Sequence, residues 1–358
     1  MIKERYLRLL IAFMLIAMQY PQRCDAQEKT SWVNNIVEKV NAFLDARTIS
    51  TDTNYVARPL QPWTLKARYK LASTYFSTED NYGGDNYKYY FESDYKSSVG
   101  MTANYRGLSV SLALNTSHSS GKELNINYYN NKFGIDLGYT DTKHFRGSED
   151  YANLWKSDSH KDDLRDTRLT AYSLNGYYVF NRKKFSFPAA FTHSWIQKRS
   201  AGSFLAGLTF YTGKFDVDLN VVTPEDAQRL HYWIDKARMS YVSLNFGYGY
   251  NFVLGKHWLL HASAMPGLML WKDYNADVMT LDVDQQTGKV IFGESKKEHW
   301  PKRFWDNTGT IRASVNYMFD RSFIGVSSVY LLERIGSSDD GTVFGLRWKM
   351  FAYYGIRL

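Results

Sequence analysis

Cysteine is almost missing from this chain: Cys24 is the only one. It stands in a leading segment that reads as a removable export signal, so the mature chain has no disulfide, no thiol nucleophile and no cysteine metal site. Long hydrophobic runs are missing as well. After that leader no stretch reaches the roughly 18 apolar residues of a spanning helix, which excludes a helical membrane protein. Prolines number only seven. No glycine-rich phosphate cradle is present, and no Ser, His and carboxylate can be named as a nucleophilic set. No motif asks for a cofactor or a metal.

Aromatic residues, by contrast, are abundant. They make up 16% of the chain, with 28 tyrosines, while the mean hydropathy stays polar at −0.44 and the net charge is +8. The chain opens with Lys3, Arg5 and Arg8, an apolar run from Leu9 to Met18, and the small-x-small site Cys24-Asp25-Ala26. This predicts a cleaved signal peptide over 1–26. Lipidation at Cys24 is the rival reading, and the bulky polar Gln22 and Arg23 before it argue against it. An exported, aromatic-rich, polar chain without a hydrophobic span fits either a secreted β protein or an outer-membrane barrel, whose strands carry only one greasy face.

Residues 27–62 read as a periplasmic amphipathic helix and linker. Trp32, Ile36, Val40 and Phe43 recur at helical spacing after Ser31, an N-cap residue, and Pro59 and Pro62 close the linker. Such a helix suits the membrane interface, the lumen, a periplasmic partner or the barrel rim. From Trp63 the period changes to two. Trp63, Leu65, Ala67, Tyr69 and Leu71 alternate with Thr64, Lys66, Arg68 and Lys70, and the chain still alternates at its last residues, through Tyr354, Ile356 and Leu358.

Fourteen strands are predicted over 63–358, with twelve to sixteen possible. They include 87–105 as one strand, 184–194 as another, and 201–212 and 214–222 as a pair turning at Gly213. Short connections such as Arg106-Gly107, Gly255-Lys256 and Asp320-Arg321 alternate with long ones. That is the rim pattern of an antiparallel up-and-down transmembrane barrel with periplasmic turns, and a secreted sandwich would not give it. Tyr105, Phe133, Phe180, Phe185, Phe210, Phe215, Phe252, Trp258, Phe319 and Phe323 lie near the short turns and are expected to form an aromatic girdle. The last strand is expected to pair with the first, and its apolar-aromatic face resembles an assembly signal for outer-membrane proteins.

The stretches DTNYV (52–56), YYVFNRKKFSFPAAF (177–191) and QKRSAGSFLAG (197–207) resemble a Bacteroides-type outer-membrane family known only as domain of unknown function 4421. The resemblance implies a barrel and an outer-membrane address. It implies no reaction, ligand or site residue.

Parity places Lys66, Arg68 and Lys70 of the first strand and Arg347, Lys349 and Arg357 of the last on the inner wall. Barrel closure would join them into a basic seam. Glu92, Asp94, Asp216 and Asp218 are read as lumen acids. The seam means either an anion-favouring lumen or a plugged barrel with paired charges. His257 and His261 share a face but lie roughly 13 Å apart along a strand, too far to share an ion. Residues 282–288 depart from a calcium loop, with glycine seventh and Gly293 in place of the closing Glu, and read as a hairpin tip. The expected partners are outer-membrane lipid and lipopolysaccharide, the assembly machinery, and a small anionic solute, with no access to nucleic acid. The expected role is solute passage or binding, or an envelope-structural task; a lipid hydrolase or acyltransferase is the alternative.

Overall fold

The computed structural model describes residues 51–82, 85–117, 121–151, 161–220, 222–230, 232–299, 306–336 and 342–358. The predicted signal peptide and the helix carrying Trp32, Ile36, Val40 and Phe43 lie outside these residues.

The strands are β1 (Val56–Ala57), β2 (Trp63–Tyr82), β3 (Asp85–Ser93), β4 (Lys96–Tyr105), β5 (Leu108–Asn115), β6 (Gly121–Tyr129), β7 (Phe133–Tyr151), β8 (Lys161–Val179), β9 (Ile196–Gln197), β10 (Ala201–Asp216), β11 (Tyr232–Leu254), β12 (Trp258–Val283), β13 (Val290–His299), β14 (Asn307–Met318), β15 (Ser322–Gly336) and β16 (Thr342–Arg357). Two short helices interrupt them, α1 (Phe187–Phe191) and α2 (Pro224–Leu230). All strands but β1 and β9 belong to one antiparallel sheet of fourteen. Twelve of these close a ring: β2, β4 to β8, β10 to β12 and β14 to β16, with β16 returning to β2. Trp63 and Leu358 exchange both backbone hydrogen bonds, at 3.1 and 3.0 Å, so the chain's end seals the wall. A closed ring is what an apolar medium requires, since it leaves no open sheet edge.

The outer face is apolar. Leu114, Phe204 and Phe246 are 70%, 69% and 57% exposed, and Val99, Leu137, Leu208, Val315, Ile324 and Tyr354 join them. Exposure of this kind all round a sheet marks contact with lipid, and the chain is a transmembrane β-barrel. The turns obey their chemistry. Arg106 and Gly107 both take positive φ, 50° and 105°, as a two-residue hairpin turn demands.

Three strand assignments change. Residues 184–194 form no strand. Pro188 and the N-capping Ser186, whose side chain accepts from Ala189 N, start α1 instead. Residues 201–216 are one uninterrupted strand. Gly213 pairs in register with Ala171 and Met239, and a Cβ there would stand 2.6 Å from the Tyr211 hydroxyl, so the glycine makes room for a ring and does not turn the chain. Finally, 85–105 breaks at Asp94-Tyr95. Below the break β4 pairs with β2 and β5; above it β3 pairs with β2 and β7. The break inverts parity, so Tyr89 and Phe91 turn into the interior cluster. A register shift at His144 does the same for β7.

The wall has one weak ladder. β5 and β6 pair only over Leu108–Val110 and Ile126–Tyr128. From there 111–114 and 122–125 run without mutual backbone pairing, until Asn115 Nδ2 reaches Gly121 O at 2.8 Å.

Candidate functional site

The interior is closed at the short-turn rim by the connection between β8 and β10. This segment, 180–200, turns into the barrel as a stopper. Phe185, Phe187, Ala189, Ala190 and His193 are each at most 1% exposed. The stopper's polar groups are met by four strands of the ring. Lys66 Nζ on β2 donates to Phe191 O at 2.6 Å, and Arg357 Nε on β16 to His193 O at 3.3 Å. Ser314 and Asn316 on β14 donate to Ala190 O at 3.2 and 3.3 Å, and Asn251 on β11 donates to Ser186 O at 2.8 Å. The His193 ring stacks on Phe323 at 3.8 Å and its Nε2 lies 3.0 Å from Asn316 Oδ1. Two cations at the C-terminal end of α1 meet carbonyls that the helix itself leaves unpaired.

Outside the ring, β1 pairs with β9 and covers the stopper's exit. Asp52 N donates to Lys183 O at 2.9 Å, and Lys198 N to Tyr55 O at 2.7 Å. The three stretches that carry the family resemblance therefore assemble into one unit, the stopper with its strap.

The basic seam follows the same ladder upward. Lys66 and Arg357 hold the stopper. Arg68 lies over the Phe351 ring at 5.3 Å. Lys70 and Lys349 both bind Glu123, the latter at 2.5 Å, and Arg347 pairs with Glu333. Beside them Arg312 bonds Asp136 at 2.9 Å, and Tyr129 donates to the same carboxylate. Nearer the long-loop rim the interior becomes an aromatic cluster, with Phe145, Tyr211 and Tyr241 buried and Phe76, Phe91 and Phe215 packed on them. Tyr211 and Tyr241 stack at 5.2 Å, and Phe145 meets Phe215 edge-on at 5.3 Å.

The proposed lumen acids are placed elsewhere. Glu92 is exposed on the outer face, because the break at Asp94-Tyr95 inverts its strand. Asp94 sits in that break and pairs with Arg146 at 3.0 Å. Asp216 lies on the outer face of β10, opposite the parity of Tyr211 and Phe215, and pairs with Lys214 at 2.6 Å. Asp218 is buried past the strand end, where its carboxylate accepts from Asp166 N and Asn220 N. Among the described residues, acids that do face the interior include Glu123, Asp136 and Glu333, and Asp306, which pairs with Lys272 at 2.5 Å. The even or odd positions of the first three relative to exposed neighbours such as Leu124 and Leu137 mark them, once strand bounds are known. Of the girdle residues, Phe185 and Phe323 are wholly buried and Phe215 points into the interior cluster.

Other candidates are resolved locally. His261 is buried between Asn251 Oδ1 and Ser263 Oγ at 2.7 and 3.0 Å, whereas His257 is exposed beside Met318 O. Ser194 bonds Thr192 and not the adjacent His193. Asp284 accepts from Thr287 Oγ1 at 2.6 Å and Gln286 N at 2.9 Å at an exposed tip, contacts that hold its carboxyl below the usual range. Among the described residues no three His, Cys, Asp or Glu side chains gather as metal ligands.

Residues 50–357 match the family described as "Domain of unknown function (DUF4421)". No curated protein matches the chain. Solved structures similar to it include the outer membrane protease OmpT of Escherichia coli, at 7% identity and TM-score 0.42, covering 87% of this chain and 99% of that one. The outer membrane protein OprG of Pseudomonas aeruginosa follows at 13% identity and TM-score 0.27, covering 83% and 98%. The toluene transporter TodX of Pseudomonas putida is similar at 8% identity and TM-score 0.26, covering 84% and 91%.

Proposed function

The chain belongs to the DUF4421 family, whose description states no activity, and we propose that it is an outer-membrane barrel closed to free diffusion, through which a small solute passes when the 180–200 stopper moves. The observation that carries this reading is the seating of the stopper. Phe185 and Phe187 pack it against Tyr129, Tyr177 and Leu205, while hydrogen bonds from Lys66, Asn251, Ser314, Asn316 and Arg357, spread over four strands, pin its backbone carbonyls. Polar contacts of this kind can be exchanged for others, with water or with a solute, when the segment shifts. Short turns face the periplasm in outer-membrane barrels, which supports a periplasmic side for the stopper.

Planar-bilayer recording of the full chain tests the reading. The native protein is expected to show no steady conductance. Replacing 185–194 with a flexible Gly/Ser linker should open a persistent ion path, and Asn316→Leu should give brief openings. A native protein that conducts steadily, or both variants remaining closed, would overturn it.

A further inference from the structure

The middle of the basic seam holds more positive charge than its surroundings neutralise. Lys70 and Lys349 share the single carboxylate of Glu123, which also accepts from Asn125 at 2.8 Å. Lys96 reaches only neutral oxygens, Asp141 O at 3.0 Å and Thr142 Oγ1 at 2.7 Å. Arg68, two residues from Lys70 on the same face and so about 7 Å along the strand, has no carboxylate partner among the described residues. Its Nε is buried without a hydrogen-bond partner. So is the hydroxyl of Ser98, a residue 2% exposed that stands directly opposite Lys70 in the ladder. Four cations against one carboxylate, with two unused buried donors among them, are costly in a low-dielectric interior. A multivalent oxyanion would offset that cost, and Arg, Lys and hydroxyl donors are the groups that bind phosphate.

The site lies beside the weakest stretch of the wall. In register, Arg68 stands opposite Gly100, and Gly100 opposite Ala113 of β5. Ala113 borders the stretch where β5 and β6 do not pair. The row from Arg68 to that stretch carries no side chain larger than a methyl group, and the Leu112 and Ala113 backbone packs directly on Gly100. Above and below it the wall is continuous, through β3 with β7 and through the base of the β5–β6 hairpin.

We infer that Arg68, Lys70, Lys96, Ser98 and Lys349 form a phosphate-binding site on the inner wall, beside the weak β5–β6 ladder. The site goes beyond the stopper reading, because the stopper is held by Lys66, Asn251, Ser314, Asn316 and Arg357 and by none of these five side chains. A free phosphate and a phosphate on a lipid headgroup share this chemistry.

The test uses the full chain in detergent, titrated calorimetrically with inorganic phosphate against sodium chloride at equal ionic strength. A second arm compares nanodiscs of phosphatidylcholine alone with nanodiscs containing phosphatidic acid, read by the shift in thermal midpoint. Saturable phosphate binding with chloride inert assigns the free anion. A midpoint shift with phosphatidic acid only assigns the lipid-borne one. Arg68→Met should weaken either effect by about tenfold or more, the loss of a charged hydrogen bond. Ser98→Ala, which preserves charge and fold, should weaken it severalfold. Phosphate no better than chloride together with no phosphatidic-acid shift would overturn the site, and so would full retention of binding in both variants. The stopper reading is scored by conductance and stands or falls separately.

Discussion

The two ends of the lumen are built differently. At the short-turn rim polar contacts pin a folded segment that also packs Phe185 and Phe187 into an apolar cluster: Asn316 alone faces His193, Ala190 O and the Tyr353 hydroxyl. Towards the long loops an aromatic cluster shares its contacts among many rings, with Phe215 meeting Phe76, Phe91 and Phe145 within 5.7 Å. The charged layer around Glu123 lies between them. A polar closure should be brittle, because removing one partner strands another group without water. An aromatic closure should be tolerant, because lost contacts are small and distributed. Moving parts belong at the brittle end.

The largest effect is expected in the charged layer. Glu123→Gln leaves Lys70 and Lys349 buried without a counter-charge, a loss of about 3–5 kcal/mol. Urea unfolding in lipid vesicles measures it. If the phosphate site exists, added phosphate should restore part of this loss and chloride should not. Next comes the stopper. Asn316→Leu keeps the volume but takes the partner from the Tyr353 hydroxyl, at 2.6 Å, and from His193. With about 1–3 kcal/mol for each stranded group, about 2–4 kcal/mol should be lost. Phe145→Leu at the aromatic end should cost only about 1–2 kcal/mol, the transfer of the missing carbons with partial collapse around them. Equal losses for Asn316→Leu and Phe145→Leu would erase the contrast between the two ends.

The wall was legible in the sequence because lipid enforces a strict rule. One face of each strand must be apolar, so Leu65 to Leu71 and Met350 to Leu358 declare their orientation by parity alone. The inner placement of Lys66, Arg68, Lys70, Arg347, Lys349 and Arg357 comes from the same count. The stopper was not legible by that count. Its Phe-rich sequence imitates a strand, and only Ser186 with Pro188 betrays a helix start. Nor does parity survive a break. Asp94-Tyr95 and His144 each shift the alternation by one, which is why Glu92 emerges on the outer face while Tyr89 and Phe91 turn inward. Glu123 and Glu333, the acids that neutralise much of the seam, are marked only by parity within correctly bounded strands, and their partners come from strands distant in sequence.

The smallest expected effect tests the parity rule most sharply. Asp216 reads as a lumen acid if β10 is taken to turn at Gly213 and restart. In the unbroken strand it sits on the outer face with Lys214 as its partner at 2.6 Å, both side chains part-exposed. An ion pair so placed is worth little, because water and salt screen it and two long side chains must be held in one geometry. Asp216→Asn should therefore change stability by no more than about 0.5 kcal/mol, and it should leave ion conductance of the linker variant unaltered. An acid inside the lumen would behave otherwise, since its removal would strand a cation and change the charge met by a permeating ion. A loss comparable to that of Glu123→Gln would put Asp216 back on the inner wall and the register of β10 in error.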